Sequence, residues 1–357
     1  VYKRQVVTLL QQPPGALTLT IDGLPQATTY LRGPRFPQES VLLGALPAAL
    51  ARGADRALVI GLGSGITASA LLASGLPQVE VAEIESRVVE ALEHVERASA
   101  TEVHDARLRI LVQDGRDLLQ RHRYQSAPGY DVIASQPTHW WLSGVGSLAT
   151  REFFSLAYAA LAEGGVYIHW LNAGRMTEEV LRGVVGAMQA TFDHTLVLVA
   201  DQPGLLYCVG VRGALQLDPA QIEARLARPA LRELSDGLPE DVIDLAAWVV
   251  YYGARADDDR APPNRDRDAL VETRLARTAA STTLDLGALR PPPLEQLGLP
   301  ASALPLDSPA LEALRIETFE RRLNTPRGVP RLVVGGFDGP IPFGPAMITL
   351  AERAAEA

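Results

Sequence analysis

The side chains of this sequence that can do chemistry on a nucleoside sit at the ends of short apolar runs. The stretch Leu58-Val59-Ile60-Gly61-Leu62-Gly63-Ser64-Gly65-Ile66-Thr67 places three glycines at alternating positions, between an apolar run and an Ala/Leu-rich segment. Glycine lets a backbone come close to a ligand and take φ values that a side chain forbids. The spacing therefore reads as a strand, a tight turn and a helix start, either a nucleotide cradle or simply a sharp βα turn. The next apolar run ends at Glu83, 18 positions after Gly65. A carboxylate at the tip of a second strand can accept both hydroxyls of a ribose; the plainer alternative is a solvated acid. Asp114-Gly115-Arg116-Asp117 succeeds a third run. There Asp114 can accept from an adenine amino group, cap the adjoining helix, or do both.

A fourth run, Tyr130 to Ser135, leads into a loop carrying Gln136, His139, Trp140 and Trp141 before Gly144 and Gly146. Two tryptophans among glycines suggest a pocket cover, the alternative being that they pack under the C-terminal segment. His139 has a reference pKa near 6.5 and is a candidate base. A lone loop histidine is, however, more often a surface or packing residue than a base. Glu39 and Asp22 are further acids that the sequence permits near a site, and His169 reads as structural.

These positions need a scaffold, and the alternation of patterns supplies one. Val6 to Leu10 reads as a strand, Pro13-Pro14-Gly15 as a turn, and Leu17 to Ile21 with Asp22-Gly23 as a hairpin. A helix is expected over 38–52. Strands are expected at 57–61, 79–84, 108–112, 131–135, 165–170, 194–200 and 205–212. Helices fall at 66–74, 86–97, 114–120, 150–162 and 176–191. This order predicts an α/β doubly wound sheet covered on both faces, with ligands beyond the carboxyl ends of its strands. Past 216 the pattern turns mostly helical, with helices at 219–228, 240–252 and 309–322, a short strand at 331–334 and a final helix. The expected organisation is an N-terminal β unit over 1–37, a Rossmann-like nucleoside-binding domain over 38–215 and a C-terminal extension over 216–357.

Composition narrows the function classes. With 47% hydrophobic and 21% charged residues in 357, the chain has the makings of a globular core, and its net charge of −9 argues against nucleic acid as a partner. The single cysteine, Cys208, excludes an internal disulfide and a cysteine-rich metal site and reads as a small buried hydrophobe. The Asp257-Asp258-Asp259 run is expected to be a solvated loop, because adjacent side chains do not converge on a cation. No metal is expected. Val1-Tyr2-Lys3-Arg4-Gln5 starts without methionine and does not lead naturally into the first strand, so the sequence is expected to be a fragment with an upstream region missing.

The ordered motifs IGLGSG (60–65), VEVAEIES (79–86), VQDGRDLL (112–119), YDVIASQP (130–137) and the stretch from Gly144 to Leu171 resemble the spermidine synthase, or polyamine aminopropyltransferase, family. They are most similar to its divergent branch often fused to membrane segments. The resemblance spans roughly 17–212, with a weaker echo of that branch's C-terminal motif at Asn264-Arg265-Asp266-Arg267 and Glu272. It implies a class I AdoMet-methyltransferase-like fold behind a small N-terminal β unit. It implies that Gln26 and Gln38 contact the nucleoside or its thioether arm, and that Gly61, Gly63 and Gly65 form the cradle. Glu83 would hold the ribose, and Asp114 with Gly115 the adenine. The co-substrate implied is decarboxylated AdoMet or AdoMet, the partner a small-molecule amine acceptor. A homodimer in the cytoplasm is expected, with membrane association through the missing N-terminal region as the alternative.

Family members that transfer aminopropyl groups carry an Asp-Ser-Ser-Asp-type loop, and the matching catalytic positions here are Gln136 and His139. Ser64 also replaces an acid that helps hold the donor's amino group. An alkylamine is mostly protonated near neutral pH, so the acceptor must be attracted and then deprotonated. Gln136 cannot do the second task. Three functions are therefore open: aminopropyl transfer to an amine, AdoMet-dependent methyl transfer on the same scaffold, and non-catalytic nucleoside binding.

Overall fold

The structure, a computed structural model, describes residues 6–12, 16–30, 37–96, 104–125, 127–137, 140, 144–172, 176–199, 205–256, 263–268, 270–275, 297 and 313. Its first elements are strands β1 (Val7–Gln12), β2 (Ala16–Ile21) and β3 (Leu24–Tyr30), an antiparallel sheet in the order β1-β2-β3. Asp22 and Gly23 have φ of 51° and 79°, the left-handed pair of a tight hairpin turn, as the Asp-Gly signal predicts. Asp22 Oδ1 accepts from the Val6 N–H at 2.8 Å and so closes this sheet.

The chain continues through α1 (Gln38–Leu50), β4 (Arg56–Ile60), α2 (Ile66–Ala73), β5 (Gln78–Glu83), α3 (Ser86–Glu96), β6 (Leu108–Val112), α4 (Gly115–Tyr124) and β7 (Tyr130–Ser135). After a 3-10 turn at Val145–Ala149 come α5 (Arg151–Ala160), β8 (Leu161–Asn172), α6 (Glu178–Gln189), β9 (His194–Val199) and β10 (Leu205–Val211). The last described elements are α7 (Pro219–Leu226), α8 (Pro229–Leu234), α9 (Val242–Trp248), β11 (Val249–Ala254) and α10 (Leu270–Leu275).

The large sheet has the order β11-β9-β10-β8-β7-β4-β5-β6. Strands β6, β5, β4, β7 and β8 run parallel, and β10, β9 and β11 continue the sheet antiparallel. One core cluster packs α1, α2 and α3 against one face, and a second packs α4, α5 and α6 against the other. The near-continuous apolar strands follow from that double cover. From β4 the chain winds outward to β5 and β6, then returns to place β7 on the opposite side of β4. The C-terminal ends of β4 and β7 thus form the topological switch point, where such sheets hold ligands.

Two parts of the C-terminal region differ from expectation. The segment predicted as one helix over 240–252 is helical only to Trp248; Val249-Val250-Tyr251-Tyr252 then enters β11 and pairs with β9. β-Branched and aromatic residues favour the pleated edge, and an apolar run alone does not separate helix from strand. Helices α8 and α10 have no counterpart among the expected elements. The Pro13-Pro14-Gly15 turn, the Asp257-Asp258-Asp259 run, most of the predicted 309–322 helix and the strand at 331–334 lie outside the described residues. No helix among the described residues is long and apolar enough to cross a membrane.

Candidate functional site

At the switch point the glycine turn takes the shape its spacing predicts. Gly61, Gly63 and Gly65 have φ of 91°, 53° and 78°. A Cβ at Gly61 would lie 2.9 Å from the Gln136 carbonyl oxygen, so the backbones after β4 and β7 touch only because this residue has no side chain. Gln136 N–H also donates to Ile60 O at 2.9 Å. The Gln136 side chain turns beneath the glycines: its Oε1 accepts from the Thr67 hydroxyl at 3.1 Å and its Nε2 donates to Ser40 Oγ at 3.3 Å. Both ends of the amide are engaged and neither moves a proton. Gln136 stitches α1, α2 and β7 together under the turn and is a positioning residue.

Glu83 is tied to the same turn. It is 7% exposed, with Oε2 accepting from Leu62 N–H at 2.8 Å and Oε1 from Glu85 N–H at 2.9 Å. Burial pushes its pKa up, opposed by these backbone donors. Each carboxylate oxygen has two lone pairs, so acceptor capacity remains after the two backbone bonds. Beside it, Ile84 and Val112 are half exposed at the tips of β5 and β6. They offer an apolar seat for a flat base, and their signal in the sequence is only their place next to Glu83 and Asp114. Asp114 caps α4, its Oδ1 accepting from Arg116 N–H at 2.7 Å and Asp117 N–H at 3.3 Å, while Oδ2 stays available. Gly115 has a packing reason: a Cβ there would meet Ile60 Cγ2 at 2.6 Å and push α4 off β4.

The N-terminal sheet closes the opposite side. Ala27 of β3 lies next to Gly63, and Leu9, Leu17, Leu19, Val88 and Leu92 line an apolar cleft that reaches Ser64. Gln26 is the extra residue of a β-bulge, since Leu19 pairs with Ala27 but Thr20 with Pro25. Bulges re-aim side chains beside binding sites. Gln26 Nε2 donates to Leu24 O at 3.1 Å, whereas its buried Oε1 has no partner. Gln38 is committed elsewhere: its Nε2 donates to Gly237 O at 2.7 Å, tying the start of α1 to the C-terminal region. Asp22 serves the hairpin, and the backbone carbonyl of Glu39 accepts from the Tyr207 hydroxyl at 3.4 Å.

His139 and Trp141 lie outside the described residues. Trp140 is 2% exposed and packs in the second core cluster, so it is a core residue and not an exposed cover. It sits 5.8 Å from the ring of His169, which is fully buried and whose Nδ1 lies 3.1 Å from the Tyr167 hydroxyl. Burial pulls the His169 pKa down to about 3, keeping the imidazole neutral.

One contact set has no sequence signal beyond a faint motif. Asn264 is buried, with Nδ2 donating to Ala149 O at 2.9 Å and Oδ1 accepting from Leu270 N–H at 3.1 Å. Asp266 accepts from the Thr150 hydroxyl at 2.6 Å and pairs with Arg116, which also donates to Ser147 O at 3.0 Å. The Asn264–Asp266 stretch therefore clasps the start of α4 to the turn before α5.

A glycine turn at the switch point, with an acid at the second strand tip and a capping Asp at the third, belongs to the methyltransferase-like class of α/β proteins. Residues 38–206 match the family model described as the spermine/spermidine synthase domain. The polyamine aminopropyltransferase of Korarchaeum cryptofilum is 22% identical over 228 residues, covering 61% of this chain and 68% of the relative. That of Moorella thermoacetica is 27% identical over 195 residues, covering 51% and 67%. Among solved structures, a spermidine synthase in complex with the transition state analogue AdoDATO shares the fold with a TM-score of 0.51 at 17% identity, over 78% of this chain and 83% of that one. A probable spermidine synthase from Corynebacterium glutamicum gives 0.50 at 16%, over 73% and 93%. Over residues 38–206 the chain is similar to the spermine/spermidine synthase domain, and it shares the fold of the solved spermidine synthases.

Proposed function

We propose that the chain binds the nucleoside of decarboxylated AdoMet or AdoMet at the glycine turn and transfers an aminopropyl group to a small amine acceptor. The observation that carries this reading is Glu83: a buried carboxylate locked to the glycine turn through Leu62 N–H, with lone pairs left over. Glu83 would accept the ribose hydroxyls, Ile84 and Val112 would flank the base, and Asp114 Oδ2 would accept its amino group. Gln26 Oε1, buried and unpartnered, would accept from the nucleoside or its thioether arm. The family supports transfer to an amine, since the relatives it matches are named polyamine aminopropyltransferases.

The donor supplies a sulfonium whose neighbouring carbon is open to displacement by a neutral amine. The chain's residues must hold that amine in line, keep water out, and take up its proton. Gln136 orients the loop but cannot accept the proton, which leaves His139 as the candidate base. A homodimer is proposed from the family alone.

A second reading, methyl transfer from AdoMet, is favoured by Ser64. It stands in an apolar cleft where an acid would repel the methionine carboxylate. The test is to supply decarboxylated AdoMet and AdoMet with a mixture of di- and polyamines and identify the released nucleoside by mass spectrometry. Methylthioadenosine above the enzyme-free control is the expected product. S-adenosylhomocysteine supports the second reading, and neither product with retained nucleoside binding reduces the chain to a binding module.

A further inference from the structure

The first turn of α1 crosses the tips of three neighbouring strands, which lie in the order β10-β8-β7 beside β4. At β7, Ser40 Oγ accepts from Gln136 Nε2 at 3.3 Å. At β10, the Tyr207 hydroxyl donates to Glu39 O at 3.4 Å. Between them stands Trp170 of β8. It is paired with Tyr207 and lies one residue beyond the Ser135–His169 pair, level with Gln136. Side chains alternate along a strand, so Trp170 turns away from His169 and onto the face of α1, where it packs against the first core cluster. Tyr207 is fully buried. Glu39 and Trp170 are half-buried and keep part of their side chains open to solvent.

The Glu39 charge acts at this place. Burial, and after it that charge, push the Tyr207 phenol well above its ordinary pKa. Glu83 and Asp114 lie past the ends of β5 and β6, on the other side of β4. A helix N-terminus presents roughly +0.5 of a charge, which the full negative charge of a first-turn carboxylate outweighs. The face of an indole also attracts a cation, more strongly than that of Tyr or Phe. An acid beside a half-open tryptophan therefore favours an alkylammonium group. Neighbouring strands are about 4.8 Å apart, so Trp170 stands about 10 Å from the glycine turn, with Gln136 in between. That offset suits the far end of an aliphatic chain whose near end meets the donor.

Resting on the transferase reading above, we infer that Glu39 and Trp170 seat the far, charged end of the acceptor amine, while its near end attacks beside Gln136. The negative charge missing from the loop after β7 is then supplied by α1, and an acceptor with a second ammonium group is preferred to a monoamine.

Glu39 also complements the α1 dipole, so the test needs a readout that a structural role leaves unmoved. That readout is the difference between putrescine and 1-butylamine, which share a near end and differ in the far one. Each is titrated by calorimetry into the full chain saturated with methylthioadenosine. Putrescine is expected to bind at least about tenfold more tightly, and Glu39→Gln and Trp170→Leu are each expected to remove most of that preference while leaving the affinities for 1-butylamine and methylthioadenosine unchanged. Should Trp170→Leu fail to fold by circular dichroism, Glu39→Gln decides. A preference for putrescine that survives in the variants overturns the inference, as does an equal loss for both amines. So does a wild-type chain that binds methylthioadenosine but does not prefer putrescine. Failure of methylthioadenosine to bind is a separate result: it removes the nucleoside reading, and this inference with it.

Discussion

Burying Glu83 carries a cost that its backbone donors offset only in part. Burial raises its folded pKa above the ordinary 4.5, so the free folded chain holds the proton to higher pH than the unfolded chain does. Its favourable contribution to stability is therefore present below 4.5 and lost as pH rises through the folded value. His169 works in the opposite sense: with a folded pKa moved from 6.5 to about 3, its contribution is present above 6.5 and is lost as pH falls toward 3. Ribose hydroxyls need the ionised form of Glu83 as acceptor. Methylthioadenosine affinity is accordingly expected to weaken on acidification at a pH above 4.5, read by calorimetric titration across pH; an affinity flat through that range contradicts the role. The glycines and Glu83 were legible because strand, turn and helix start impose their spacing locally. The bulge at Gln26 was not, since it is defined only by pairing with β2.

Among the elements, α4 shows what local sequence can and cannot tell. Its cap at Asp114 and its start at Gly115 follow from residue type. Its tie through Arg116 to Asp266 joins residues 150 apart, which no local pattern encodes. The pair is partly solvated, so its worth is modest, and the Thr150 bond to the same carboxylate adds to it. Asp266→Asn is expected to lower stability by about 0.5–1 kcal/mol in urea unfolding. It is also expected to weaken methylthioadenosine binding, because the start of α4 loses its clasp. Unchanged values in both measurements would show that the clasp positions nothing. β11 departs from the expected helix for a related reason: its strand state is set by the β9 edge it joins, not by its own apolar run.

Over the whole molecule, the alternation of strand and helix made the doubly wound sheet legible from Arg56 to Val211. The part played by the region after 215 was hidden. Gln38 donates to Gly237 O at the start of α1, while Arg225 and Gln221 donate to Ala48 O and Ala51 O at its end. With β11 closing the edge beside β9, residues 216–256 hold α1 at both ends and extend the sheet. Such contacts are long in sequence and carried by backbone carbonyls, which have no residue signature. A chain ending at 215 is expected to lose cooperative unfolding in calorimetry; a sharp transition with nucleoside binding retained would show the region to be dispensable. The nucleoside site proposed at the glycine turn and Glu83 stands or falls on binding. Calorimetric titration of methylthioadenosine into the wild-type chain and into Glu83→Ala tests it most directly. Saturable one-site binding that falls at least about tenfold in the variant is the expected result, equivalent to the loss of about 1.4 kcal/mol. No saturable binding to the wild type, or equal affinity in both, would contradict it.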